Sequence, residues 1–140
     1  MIVKLRKHIV KIFPIVAIVL LAALLLSRVF SPNRDLTPEV HIDAVEAVDH
    51  IGKTAKVCGY VASARFVREI GGQPTFINFE KPHPDQVFTV VIWGEHRPAW
   101  RTPPEQLYEN RAICATGRIR MHECTPQIVV ENPDQISLPR

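Results

Sequence analysis

Residues 12–26 (IFPIVAIVLLAALLL) form an unbroken apolar run, and it decides how much of the chain is left to build a soluble core. Fifteen residues at the helical rise span only about 22 Å, against a hydrocarbon core of about 30 Å. Ile9 and Val10 extend the run on one side, Val29 and Phe30 on the other, and Lys11 and Arg28 can turn their charged ends toward the two interfaces. The segment 9–30 is then long enough to span. Pro14 falls in its first turns, where a missing N–H costs least. A cleaved secretory signal has the same basic start, but the run ends in Leu26-Ser27-Arg28-Val29 with no small-x-small site. The expectation is an uncleaved anchor.

Charge orients it. Lys4, Arg6, Lys7, Lys11 and Arg28 are the only charged residues among the first 30, and four of them precede the run. The N-terminus is expected in the cytoplasm and the rest outside it, giving a single-pass inner-membrane protein. Of the chain's 17 Lys+Arg and 14 Asp+Glu, residues 31–140 hold 12 and 14, a net of −2. The overall charge of +3 therefore belongs to the anchor. The expected organisation is a basic tip and anchor over 1–30, a linker over 31–41 with Pro32 and Pro38, and an exported domain over 42–138.

Ile42, Val45, Val48 and Ile51 recur at threefold spacing with acids between them. This predicts a short amphipathic helix over 42–51 that rests its apolar stripe on the domain and ends at Gly52. Beyond Gly52 the pattern is one of strands: Thr54–Arg68, Pro74–Phe79 after a Gly71-Gly72 hairpin signal, and Val87–Trp93. Gly59 stands where a strongly bent strand wants no side chain. Thr102-Pro103-Pro104-Glu105 predicts a two-turn helix to Glu109, with Thr102 as N-cap and Glu105 closing a capping box. Strands over Arg111–Met121 and Gln127–Glu131 come next. Three strands, a short helix and two closing strands predict an all-β domain, the five-stranded Greek-key barrel of the OB-fold. A β-sandwich wants about seven strands and no helix here.

Ile51-Gly52-Lys53, Val57-Cys58-Gly59-Tyr60-Val61, 74–79 (PTFINF), 88–94 (FTVVIWG) and Ile113-Cys114-Ala115-Thr116-Gly117 together resemble bacterial OB-fold proteins of the nucleic-acid-binding type. The resemblance covers roughly residues 42–138 and rests on fold-building glycines and core positions. It implies binding of single-stranded nucleic acid or another oligomer on the face of the second and third strands. The haem chaperone of cytochrome c maturation is similar in layout only, because the tail 132–140 has neither the His nor the Tyr of that family.

Binding a single strand takes flat side chains that stack on bases and cations that hold phosphates. Phe76, Asn78, Phe88 and Trp93 are the candidates on the second and third strands. Arg65 and Arg68, Arg97 and Arg101, and Arg118 and Arg120 are the nearby cations, the last two spaced to point the same way. The competing assignment makes the two Phe residues barrel core and the Arg residues a solvated rim. The net −2 weighs against a phosphate-binding patch. Cys58 and Cys114 are expected on neighbouring antiparallel strands, where they either bridge or fill the core as free thiols. Cys124 is left over. His122-Glu123-Cys124 is too compact to chelate a metal alone, and no catalytic triad, phosphate loop or HExxH motif is present. The sequence therefore predicts a binding module without catalysis and without a cofactor. Its partners are the membrane through the N-terminal helix, and either single-stranded nucleic acid or a membrane protein complex, with Trp93 or Trp100 as interface anchors.

Overall fold

The computed structural model describes residues 36–139. The proposed anchor, the basic tip and the first part of the linker lie outside them. Among the described residues, no helix is long and apolar enough to cross a membrane. The architecture is mostly β-sheet. Strand β1 (Val40–Asp43) leads through a 3₁₀ helix (Ala44–His50) into β2 (Thr54–Phe66), β3 (Thr75–Phe79) and β4 (Phe88–Ile92). Helix α1 (Pro104–Tyr108) comes next, then β5 (Ala112–Arg118), β6 (Arg120–His122), β7 (Thr125–Val129) and β8 (Ile136–Ser137).

β2 is long because it serves two partners. Its first half pairs antiparallel with β5, from Thr54↔Arg118 to Tyr60↔Ala112, and its second half pairs antiparallel with β3. The register shifts between Val61 and Ser63, a bulge that lets the strand turn from one partner to the other. β4 pairs antiparallel with β3 and parallel with β7, giving the order β6-β7-β4-β3-β2-β5-β8, with β1 parallel beside β2. Gly117 of β5 makes room for Ile128 of β7: a Cβ there would lie 2.6 Å from the Ile128 side chain. That close approach brings distant members of the strand order together. Inside lie Val57, Val61, Ile77, Phe79, Phe88, Val90, Ile92, Ile113, Ile119 and Ile128, all fully buried. Each contributes roughly 1.5–3 kcal/mol of burial. Phe79 and Phe88 meet edge to face with centroids 5.3 Å apart.

Several expectations are corrected. Part of the expected linker is β1, which starts at Val40 and, through its pairing with β2, sets which side of the next turn faces the domain. The helix predicted over 42–51 is 3₁₀ and shorter, and its buried side carries Ala44 and Ala47. Val45, Val48 and Ile51, expected to rest on the domain, are exposed. Small side chains win the inward positions because the backbone runs close to β2, where a Cβ on Gly59 would already be 3.0 Å from the Ala44 Cβ. The expected strand over 111–121 breaks at Ile119. Its side chain turns into the core, its N–H donates to the Lys53 carbonyl, and its carbonyl accepts from Gly52 N–H. Helix α1 starts one residue later than expected, with Pro103 as its N-cap and no capping box, since proline has no side-chain acceptor; the Glu105 carboxylate binds Arg97 instead. The last expected strand, 127–131, is observed as β7, displaced two residues toward the N-terminus.

Candidate binding face on the outer sheet

Side chains alternate across a strand, so the core residues of β3, β4 and β7 identify their outward neighbours. Ile77, Phe79, Phe88, Val90, Ile92 and Ile128 point inward. Phe76 and Asn78, Thr89 and Val91, and Gln127 and Val129 therefore lie on the opposite side of the sheet, where Asn78, Thr89 and Val91 are themselves buried and Phe76, Gln127 and Val129 are half-buried. On β2 the bulge sends Ser63 and Arg65 to the same outer side as their register partners Asn78 and Phe76. The pairing aligns these residues in two rows. One runs Ser63, Asn78, Thr89, Gln127, Arg120; the other runs Arg65, Phe76, Val91, Val129.

The first row is a polar ladder. Asn78 Nδ2 donates to Ser63 Oγ at 3.0 Å, and Thr89 Oγ1 donates to Asn78 Oδ1 at 3.1 Å. These bonds fix the Asn78 amide, which is 5% exposed, so it orients the face more than it reaches out. In the second row Val91 is 1% exposed, so its accessible part is the half-buried Phe76 and Val129, with the exposed Arg65 at one end beside Phe76. Arg120, also exposed, closes the far end of the polar row. Arg65 is the direct neighbour of the Phe76 ring, whereas Arg120 lies three strands away at the far edge of the sheet.

Trp93 directly succeeds β4 and is half-buried. Its ring lies against Gly72, where an added Cβ would sit 2.9 Å from Trp93 Cε3; Gly72 also has a φ of +81°, a conformation that suits glycine. Gly94 N–H donates to the Gly72 carbonyl at 2.8 Å and ties this corner to the β2–β3 hairpin. An open hollow of about 550 Å³ lies at that hairpin, with Arg68, Ile70, Gly72, Gln73 and Glu95 in its wall.

The other candidates are elsewhere. Phe88 is wholly buried in the core. Arg97 is only 17% exposed at its side chain and is bound within the domain. Its Nη1 donates to Glu105 Oε2 at 2.8 Å and to Thr75 Oγ1, its Nη2 donates to Glu105 Oε1 at 3.2 Å, and its guanidinium lies 3.8 Å from the Phe66 ring centroid. Burial acts to raise the pKa of Glu105, but the hydrogen bonds and charge of Arg97 outweigh it and hold the carboxyl below its ordinary range. Arg68 lies over the same Phe66 ring at 5.4 Å. Arg118 ends β5 opposite Thr54, on a different strand from Arg120, so the two do not form the side-by-side pair their spacing suggested. Arg101 is exposed beyond the Arg97–Ala99 turn.

Trp100 is no surface anchor: it is 7% exposed and donates through Nε1 to Tyr108 Oη at 2.9 Å. Burial raises the Tyr108 pKa, and the Trp100 bond offsets part of the rise. Cys58 and Cys114 are register partners joined by a disulfide, with Cα atoms 4.0 Å apart, while Cys124 is free and exposed. Among the described residues, no group of three or more His, Cys, Asp or Glu side chains could hold a metal ion.

Ser63, Gln127 and Val129 join this face without having been candidates from the sequence. Their alternation with buried neighbours is readable there, but the parallel pairing of β4 with β7 that lines them up is a non-local fact.

No protein-family model matches the sequence, nor does any curated protein. Solved structures of similar shape include a chain from Leishmania major Friedlin assigned to aspartyl-tRNA synthetase, with 12% identity and a TM-score of 0.42. The match covers 73% of this chain and 21% of that one, so this chain spans about a fifth of its neighbour's length.

Proposed function

We propose that residues 42–138 form an OB-fold binding module that holds single-stranded nucleic acid across the outer face of β2, β3, β4 and β7, without catalysis. The strand sequence supports the fold: a three-stranded meander, a short helix, then a strand returning to β2 and another lying parallel to β4. The observation that carries the ligand is the register pair Arg65–Phe76, a half-buried aromatic with an exposed cation beside it. Phe76 stacks on a base, Arg65 and Arg120 meet phosphates, and Trp93 extends the platform toward the hairpin. The apolar segment 9–30 anchors the module in the inner membrane with the domain on the extracytoplasmic side.

The test is fluorescence anisotropy of a labelled single-stranded oligonucleotide titrated with the full chain at low and moderate salt. Salt-sensitive binding that weakens on Phe76→Ala is expected. No binding at tens of micromolar at low salt removes the reading. A second reading, docking of a partner protein as an accessory subunit of a membrane complex, is favoured by a different observation: Val45 and Val48 on the 3₁₀ helix and Ile51 directly after it are exposed.

A further inference from the structure

A 3₁₀ helix has three residues per turn, so residues three apart eclipse one another. From Asp43 to Ile51 this makes a three-sided prism. One side carries Ala44, Ala47 and His50 and packs on the domain, with the two alanines fully buried. A second carries Asp43, Glu46 and Asp49, all exposed. The third carries Val45, Val48 and Ile51, which are 61%, 52% and 40% exposed. An apolar ridge thus runs beside a row of three carboxylates. The Glu46 carboxylate also accepts from Asp43 N–H at 2.9 Å, which pins the start of the helix.

Resting on the partner-docking reading and independent of the nucleic-acid face, we propose that this ridge docks a basic amphipathic helix of a partner protein. The dimensions fit. Three side chains at i, i+3 and i+6 of a 3₁₀ helix span about 12 Å, and the i, i+4, i+7 stripe of an α-helix spans about 10.5 Å. Charge selects the occupant. Lys or Arg on one flank of the incoming helix meets Asp43, Glu46 and Asp49 while its apolar stripe covers Val45, Val48 and Ile51. An anionic bilayer surface repels the same carboxylates. A second copy of this chain brings no Lys or Arg of its own from 43–51 to neutralise them.

The experiment titrates the full chain in phosphatidylcholine nanodiscs, with empty nanodiscs as blank. The probe is a fluorescent leucine–lysine peptide of about 14 residues, long enough to form a helix. A control peptide carries glutamate at every lysine position. The variants are Val45→Ser with Val48→Ser, and Glu46→Gln with Asp49→Asn, each checked for an unchanged melting curve. Because the four side chains are exposed, the fold is expected to survive. The lysine peptide should bind the native chain at least about tenfold more tightly than either variant, and the glutamate peptide should not bind. Equal binding of both peptides, lost on the valine changes, keeps the docking reading but overturns the basic partner. Binding insensitive to the valine changes, or a valine variant that instead loses self-association, overturns the ridge as the docking surface.

Discussion

Arg97 and Glu105 form a two-pronged ion pair, at 2.8 and 3.2 Å, that fastens the start of helix α1 to the loop after β4. The same guanidinium reaches Thr75 of β3 and covers the Phe66 ring at the end of β2. One side chain therefore ties two strands and a helix together at one end of the sheet. With both members about four-fifths buried, the pair falls between exposed bridges worth under about 1 kcal/mol and fully buried ones. Glu105→Gln should cost about 1.5–3 kcal/mol at neutral pH, the range for hydrogen bonds to charged groups.

The direction of the Glu105 shift sets the pH dependence. A carboxyl whose folded pKa lies below its unfolded value contributes stability above the ordinary carboxylate range and loses it as pH falls through the folded pKa. Urea denaturation of the native chain and Glu105→Gln should therefore differ at pH 7 and converge as pH falls below the ordinary carboxylate range and through the folded Glu105 pKa. A difference that persists at low pH would show that the variant acts through packing.

Cys58 and Cys114 are 56 residues apart in sequence and face each other across β2 and β5. Closing a loop of that length removes about 4 kcal/mol of denatured-state freedom on the chain-entropy account. Reduction, or Cys58→Ser with Cys114→Ser, should lower the melting temperature by at least about 10 °C for a domain of this size. Cys124 is outside the bridge, so Cys124→Ser should leave the melting temperature unchanged.

Two glycines make an internal control. A Cβ on Gly59 would stand 2.6 Å from Glu80 Oε1 and 2.7 Å from Phe79 Cδ2, whereas one on Gly71 would meet nothing within 4 Å. Phe79 is a fully buried core ring and cannot yield cheaply. Gly59→Ala should destabilise by roughly 1–3 kcal/mol, the usual cost of overpacking. Gly71→Ala should lie within about 1 kcal/mol of native, on either side of zero. Similar losses from both substitutions would show that the contacts with Phe79 and Glu80 do not set the cost at Gly59.

How far the fold could be read from the sequence depended on locality. Strand positions were legible because runs such as 75–79 and 88–92 are β-rich and bounded by turn residues. Which face of each strand is buried was not, since that depends on partners far along the chain. Phe76 and Phe88 look alike in sequence, yet one points outward and the other is core. The spacing of Val45, Val48 and Ile51 identified a single stripe correctly and assigned it to the wrong side, because nothing local says that Ala44 must meet Gly59. Arg97 matched the chemistry of a phosphate contact, but its capture by Glu105 needed the position of α1.

On the proposed binding face, stacking and charge should separate by their salt dependence. Each phosphate neutralised on a single strand contributes about −0.7 to the slope of log affinity against log salt. Arg65→Ala and Arg120→Ala should each make that slope shallower by about that amount, and both together by about twice it, since the two residues stand at opposite ends of the outer face. Phe76→Ala removes a stacking surface worth roughly 1–3 kcal/mol per base. It should weaken binding about fivefold to a hundredfold with the slope unchanged. Arg97→Ala should leave the slope alone as well, because its charge is already spent on Glu105. Anisotropy titrations at four salt concentrations resolve these patterns. A slope that responds to Arg97 and ignores Arg65 would place the ligand at the α1 end of the sheet and reject the outer face.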